Sequence, residues 1–275
     1  DVPGRGGVAT GGAREDNAST MDGLTVERLD PGDLLHLTLD HGRGNILDVA
    51  LIEALRSAVR QAAATPELRG LLIAHTGPHF SFGASIEDHL PERVDDMLPR
   101  FHGLAREVLE LDLPVLCAVR GQCLGGGLEV ALLADRVVAA PGASFGQPEI
   151  RLAVFAPVAS VLLPYRIGSR RAADLLLSGR SLDAEEALAW RLVDEIDGEP
   201  AEACREWAVR HLGDKSLTAL RLATRAARST WIDRFATDIE RLERLYLDEL
   251  MSTPDAAEAL RAFLERRSPV WRQGS

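Results

Sequence analysis

Glu129 and Glu149 stand twenty positions apart, and each closes a glycine-marked segment: Gly125-Gly126-Gly127-Leu128-Glu129 and Phe145-Gly146-Gln147-Pro148-Glu149. A third segment, His79-Phe80-Ser81-Phe82-Gly83-Ala84-Ser85, lies upstream and also ends in small residues. Two carboxyl groups can serve as proton donor and proton acceptor, and amides beside small residues can hold a developing oxyanion. That is the equipment for adding water across a double bond conjugated to a carbonyl. Simpler readings stay open on spacing alone. Glycines between a strand and a helix permit tight packing, and the helix dipole favours a first-turn Glu anywhere.

Gly126 falls where a helix would begin, so its amide is unpaired and lies at the positive end of the dipole. Glu129, three residues on, shares that helix face. The following Val130-Ala131-Leu132-Leu133-Ala134 marks a helix too apolar to carry a carboxylate without a reason. Glu149 follows Pro148, which holds the residue before it extended; a solvated turn carboxylate is the alternative. Ala84 is small enough to leave its amide open to a ligand.

Other chemistries find little support. No Gly-Lys-Ser/Thr follows the glycine triplet, and Gly4-Arg5-Gly6-Gly7 follows no strand, so neither reads as a nucleotide loop. His75 and His79 are separated by Gly77-Pro78, which forbids a shared helix face, and no HExxH occurs, so no metal site is expected. There is no GxSxG serine, and Cys123 has no evident base. Cys117, Cys123 and Cys204 are never spaced as CxxC, which argues against structural zinc or a disulfide framework and for a reducing cytoplasm. The net charge of −11 over 275 residues argues against a nucleic-acid partner. No apolar run is long enough to cross a bilayer, and no export signal is visible.

The elements that must position these residues alternate. Leu34–Leu39 reads as a strand, Asp48 caps a helix to about Ala64, and Gly70–Ala74 reads as a strand buried on both faces. A helix near Leu98–Leu111, a strand over Val115–Val119, a helix from Gly126 to about Ala134 and a strand over Arg136–Ala140 follow. The class is α/β. Beyond Ala156 the pattern is helical, and residues 217–266 read as almost entirely helical with breaks near Ser229 and at Pro254. Residues 1–20 lack an apolar period and read as a disordered tail, with Met21 as a natural start. Residues 21–215 form the core and 216–275 a helical region. The stripe of Phe235, Ile239, Leu242, Leu245, Tyr246 and Leu250 serves either the chain's own core or a subunit contact.

Taken together, the three ordered segments resemble the crotonase, or enoyl-CoA hydratase, superfamily. The resemblance implies a spiral of ββα units closed by a C-terminal trimerisation region, as a trimer or a dimer of trimers. It also implies that the Ala84 and Gly126 amides hold the thioester oxygen, that Glu129 activates water, and that Glu149 supplies the proton. Phe82, Gly83, Ser85, Gly125, Pro148 and Phe155 would contact the substrate, an acyl-CoA thioester whose coenzyme A arrives as part of the substrate, with no permanently bound cofactor. Arg28 and Arg120 would contact the CoA phosphates. Members commonly carry Asp where Ser85 stands, and a Gly-rich stretch where this chain has Leu152-Ala153-Val154-Phe155-Ala156-Pro157. These departures, with Gly44-Asn45-Ile46-Leu47-Asp48, look most like the cyclic dienoyl-CoA hydratases of aromatic-ring degradation. A general enoyl-CoA hydratase, a crotonase-fold isomerase working with one carboxylate, and a silent acyl-CoA binder are the competing readings.

Overall fold

The computed structural model describes residues 18–30 and 33–271. Residues 1–17, which hold most of the tail expectation and the Gly4-Arg5-Gly6-Gly7 segment, lie outside the described residues. Order begins earlier than the apolar pattern indicates. β1 (Ser19–Met21) pairs with β2 (Leu24–Leu29) across Asp22 and Gly23, whose φ values of 42° and 78° suit a two-residue hairpin turn. β1 is exposed along its length, so hydrophobicity could not reveal it.

The chain continues through β3 (Leu34–Leu39), α1 (Val49–Ala63), β4 (Gly70–His75), α2 (Val94–Glu110) and β5 (Val115–Val119). Then come β6 (Gln122–Leu124), α3 (Gly126–Leu132), β7 (Arg136–Ala139), β8 (Ser144–Gly146) and a 3-10 turn over Pro148–Leu152. α4 (Pro157–Ile167), α5 (Ser169–Ser178), β9 (Ser181–Asp183), α6 (Ala184–Ala189) and β10 (Glu195–Ile196) lead to the tail. The tail is α7 (Pro200–Leu212), α8 (Leu217–Arg244), a π-helical segment Leu245–Leu250 and α9 (Pro254–Leu264).

Seven strands form one sheet in the order β1-β2-β3-β4-β5-β7-β10, parallel from β3 onward. In β4, Leu71 and Ile73 face the main core while Leu72 and Ala74 face a second cluster under α7. Burial on both faces is why this strand reads as a continuous apolar run rather than an alternation. A second ladder joins β6, β8 and β9, and bridges at Ser81–Cys123 and Leu47–Ala84 extend it upstream. Each turn therefore gives one strand to the large sheet, one short pairing to the second ladder, and then a helix. β4 leads through residues 81–84 to α2, β5 and β6 lead to α3, and β7 and β8 lead to α4. Segments far apart in sequence come to lie side by side because they occupy the same place on successive turns.

Two helix readings need correction. α2 begins at Val94 instead of near Leu98, because Pro99 sits inside the helix and obscures its first turn. α8 runs unbroken through Ser229, whose hydroxyl donates to Ala226 O (2.9 Å) and so stays within the helix. The neighbouring Arg228 anchors the continuous helix α8 at this point. It is 1% exposed, donates to Asp135 Oδ1 (3.0 Å), and reaches carbonyls at the end of α2, including Leu111 O (2.7 Å) and Leu113 O (3.0 Å). Arg228→Ala leaves these buried carbonyls without their donor and is expected to lower the unfolding free energy by about 1–3 kcal/mol, read from the denaturant midpoint. An unchanged midpoint would show that the apolar face of α8 suffices. On that face Phe235, Ile239 and Tyr246 are in the chain's own core, whereas Leu245 is exposed.

Candidate active site

The second ladder sets the three segments against one another. Ser81 N donates to Gln122 O (3.1 Å), Leu124 N to Ser81 O (3.0 Å), and Gly125 N to Gly146 O (2.9 Å). Ser81 is sealed from solvent; its hydroxyl donates to Asn45 O (2.8 Å) and accepts from Gly83 N (3.0 Å). Asn45 adopts φ 43° and donates to His79 O (3.1 Å), which ties the Gly44–Asp48 motif to the same loop. Leu47 N donates to Gly83 O, and Ser85 N to Leu47 O, both at 3.0 Å.

Between those committed groups, the Ala84 N–H has no acceptor among the described residues, and neither does the Gly126 N–H at the first turn of α3. The two are close: a β-carbon added at Gly126 would lie 3.0 Å from Ala84 N. Gly125 has φ 54° and ψ −128°, and a β-carbon there would meet Glu149 Oε1 at 2.5 Å. Backbone conformation and close approach both demand glycine at that position.

Glu129 is 5% exposed, and its Oε1 accepts from Ala159 N (2.8 Å) in the first turn of α4. Burial pushes its pKa up to about 7, against the pull of the Ala159 and Val158 amides. The Glu149 side chain is half-buried at the cavity wall. Burial, and then repulsion from Glu129, push its pKa up to about 8. Gln147 is 1% exposed; with its amide nitrogen turned to the acid, it donates to both Glu149 oxygens at 3.0 and 2.8 Å. The two carboxyls thus titrate as a pair that holds one proton near neutral pH.

A cavity of ≈ 450 Å³ gathers these groups. Phe82, Gly83, Ala84 and Ser85 line it from the first segment, and Gly125, Gly126 and Glu129 from the second. Pro148, Glu149 and Phe155 complete the set anticipated from sequence. Ser85 Oγ accepts from Asp88 N (3.2 Å), so it caps a turn. Arg28 and Arg120 are not brought to this cavity. Arg28 pairs with Asp33 (2.6 Å) on β2, and Arg120 pairs with Glu199.

Sequence reasoning missed four kinds of lining or supporting residue. Gln147 lies inside a recognised segment, but its reach to Glu149 depends on the turn. His89 lines the cavity with no motif of its own. Met97, Leu98 and Phe101 come from α2, and Leu260, Phe263 and Leu264 from α9. Their apolar spacing reads as ordinary helix core, which Met97, Leu98, Phe101 and Leu260 also are, whereas Phe263 and Leu264 are exposed.

Comparison with known proteins accords with this geometry. Residues 31–274 match the family described as enoyl-CoA hydratase/isomerase. Cyclohexa-1,5-dienecarbonyl-CoA hydratase of Thauera aromatica is 49% identical over 240 residues, covering 87% of this chain and 93% of that protein. Carnitinyl-CoA dehydratase of Salmonella typhi is 32% identical over 251 residues, covering 88% and 95%. The crystal structure of an enoyl-CoA hydratase from Mycobacterium avium subsp. paratuberculosis K-10 superposes with a TM-score of 0.81 at 28% identity, covering 92% of this chain and 100% of that one. With a family match that spans both acid segments and the helical tail, and solved folds that overlay almost all of it, the chain belongs to the enoyl-CoA hydratase/isomerase family.

Proposed function

We propose that this protein is a hydro-lyase that adds water across the conjugated double bond of a CoA thioester, with a cyclic dienoyl group as the preferred acyl part. The observation that carries the reading is one cavity with two amides lacking acceptors and two carboxyls whose proton affinities burial has raised and mutual repulsion has separated. The Ala84 and Gly126 amides donate to the thioester oxygen, and each contributes about 3 kcal/mol as that oxygen becomes an enolate. Glu129, ionised, takes a proton from water as the water oxygen bonds to the β-carbon. The π electrons move onto the thioester carbonyl, and Glu149 gives its proton to the α-carbon as the carbonyl re-forms. The pair begins and ends with one proton, moved from Glu149 to Glu129, and resets by exchange with solvent.

The cyclic preference draws on the 49% identical relative and on the acyl wall, where Phe155, Ala156 and Pro157 line the cavity. Coenzyme A takes part only as the substrate's thiol. The same reading assigns residues 216–275 to self-association as a trimer or a dimer of trimers, for which exposed Leu222 on α8 offers apolar surface.

The test is mass spectrometry of three thioesters incubated in water labelled at both oxygen and hydrogen: crotonyl-CoA, a longer linear enoyl-CoA and cyclohexa-1,5-diene-1-carbonyl-CoA. One labelled water gained by the cyclic diene alone is the expected result. Gain on the linear thioesters would make the protein a general hydratase, and label only at carbon-bound hydrogen would make it an isomerase.

A further inference from the structure

The cavity wall carries polar side chains that the hydration steps above do not use, His89 among them. His89 lines the cavity, and its Nδ1 lies 2.7 Å from Ser85 O. A carbonyl can only accept, so Nδ1 carries the hydrogen and the neutral ring presents Nε2 as a bare acceptor. Burial lowers the pKa of this ring, more than its contacts with the Ser85 carbonyl and Asp88 raise it, which keeps it neutral. Among the described residues no donor reaches Nε2. His89 forms part of the cavity wall, which puts its ring beside a bound acyl group.

Each of the other polar side chains of the wall has a partner, is exposed, or takes part in the hydration. Asp48 accepts from Leu51 N (2.9 Å) and meets His41 Nε2 (2.9 Å). Ser85 accepts from Asp88 N, Glu87 is exposed at the rim, and Glu129 and Glu149 form the proton-transfer pair. Behind His89 stands Tyr246, its ring 6.4 Å away and packed edge-on against Phe155 (5.2 Å). The Tyr246 hydroxyl is fully buried without a partner, so it does not satisfy Nε2 either. An acceptor covered by an apolar ligand forfeits its water, and a ligand that brings a donor avoids that cost.

We infer that His89 is a specificity-determining residue whose Nε2 accepts a hydrogen bond from a hydroxyl on the acyl group of the bound thioester. The ligand class is therefore a CoA thioester of a hydroxylated ring acid, the hydrated side of the reaction. This rests on the acyl-CoA reading proposed above.

The test uses benzoyl-CoA and its three monohydroxy isomers, aromatic thioesters that do not hydrate, titrated calorimetrically into the full chain and into His89→Leu and His89→Gln. One hydroxy isomer is expected to bind the wild type about tenfold more tightly than benzoyl-CoA, as one net hydrogen bond would give. His89→Leu should abolish that preference while leaving benzoyl-CoA affinity in place, and His89→Gln, which keeps an acceptor oxygen, should retain part of it. An equal preference in His89→Leu, or an equal loss for all four thioesters, overturns the inference. Wild type that binds benzoyl-CoA with no isomer preference overturns the inference alone. Wild type that binds none of the four overturns the acyl-CoA reading with it.

Discussion

Replacing Glu149 by glutamine is expected to lower kcat by about a hundred- to ten-thousand-fold while KM for the thioester changes little. Glutamine keeps the volume and a polar contact for Gln147 but has no proton to give to the α-carbon. The interaction lost is one made only in the transition state, so kcat and kcat/KM should fall together. The pH dependence adds a second signature. In the proposed mechanism water activation requires Glu129 ionised, so activity should fall as the pH drops below about 7. Proton delivery by the same mechanism requires Glu149 protonated, so activity should fall as the pH rises above about 8. The wild-type kcat/KM profile should therefore be a narrow bell whose limbs belong to the pair. In Glu149→Gln the residual activity should keep the acidic limb and lose the basic one.

Stability should move the other way. Glu149 has a folded pKa raised above 4.5, so between about 4.5 and about 8 the folded state binds more protons than the unfolded state. Stability then falls as pH rises through that window. Glu149→Gln removes this penalty, so its melting temperature should exceed that of the wild type at pH 8 and approach it at pH 5. An unchanged kcat would sink the two-acid mechanism, whatever the melting temperature does.

Much of this site was legible because its residues are constrained by backbone geometry. Gly125 must be glycine for its φ and for the approach of Glu149, Gly126 must be small for the approach of Ala84, and Glu129 breaks an apolar helix. Strands β4 and β5 were legible because burial on both faces leaves Gly70–Ala74 and Val115–Val119 apolar throughout. What stayed hidden depends on three-dimensional placement. The start of α2 lay behind Pro99, and β1 carries no hydrophobic signal. Continuity of α8 at Ser229 rests on Arg228, whose acceptors lie more than ninety residues upstream. His89 and Gln147 matter only through what the spiral sets beside them. Arginines are weak landmarks for the opposite reason: a cation finds an acid on almost any surface, as Arg28 and Arg120 do.

Gly126→Ala is expected to cost about 10²–10³-fold in kcat/KM. Its added methyl would lie 3.0 Å from Ala84 N and 3.3 Å from Ala84 Cβ, between the two amides where the thioester oxygen is to sit. The oxygen would be held away from both donors at the moment its charge develops. Folding should survive, because residue 126 opens α3 without a positive φ, and alanine favours a helix over glycine by about 1 kcal/mol. That gain offsets the tight contact, so the melting temperature should stay near wild type while activity falls. An unchanged kcat/KM would remove the amide pair from the mechanism and leave catalysis to the acids alone. Combining Gly126→Ala with Glu149→Gln sharpens the point. Both act on the same enolate, one by failing to stabilise it and the other by failing to protonate it. Their combined loss should therefore fall short of the product of the two single losses, as expected of groups that work as a unit. Full additivity would mean that the two segments serve separate events, and the single-cavity mechanism would fail with it.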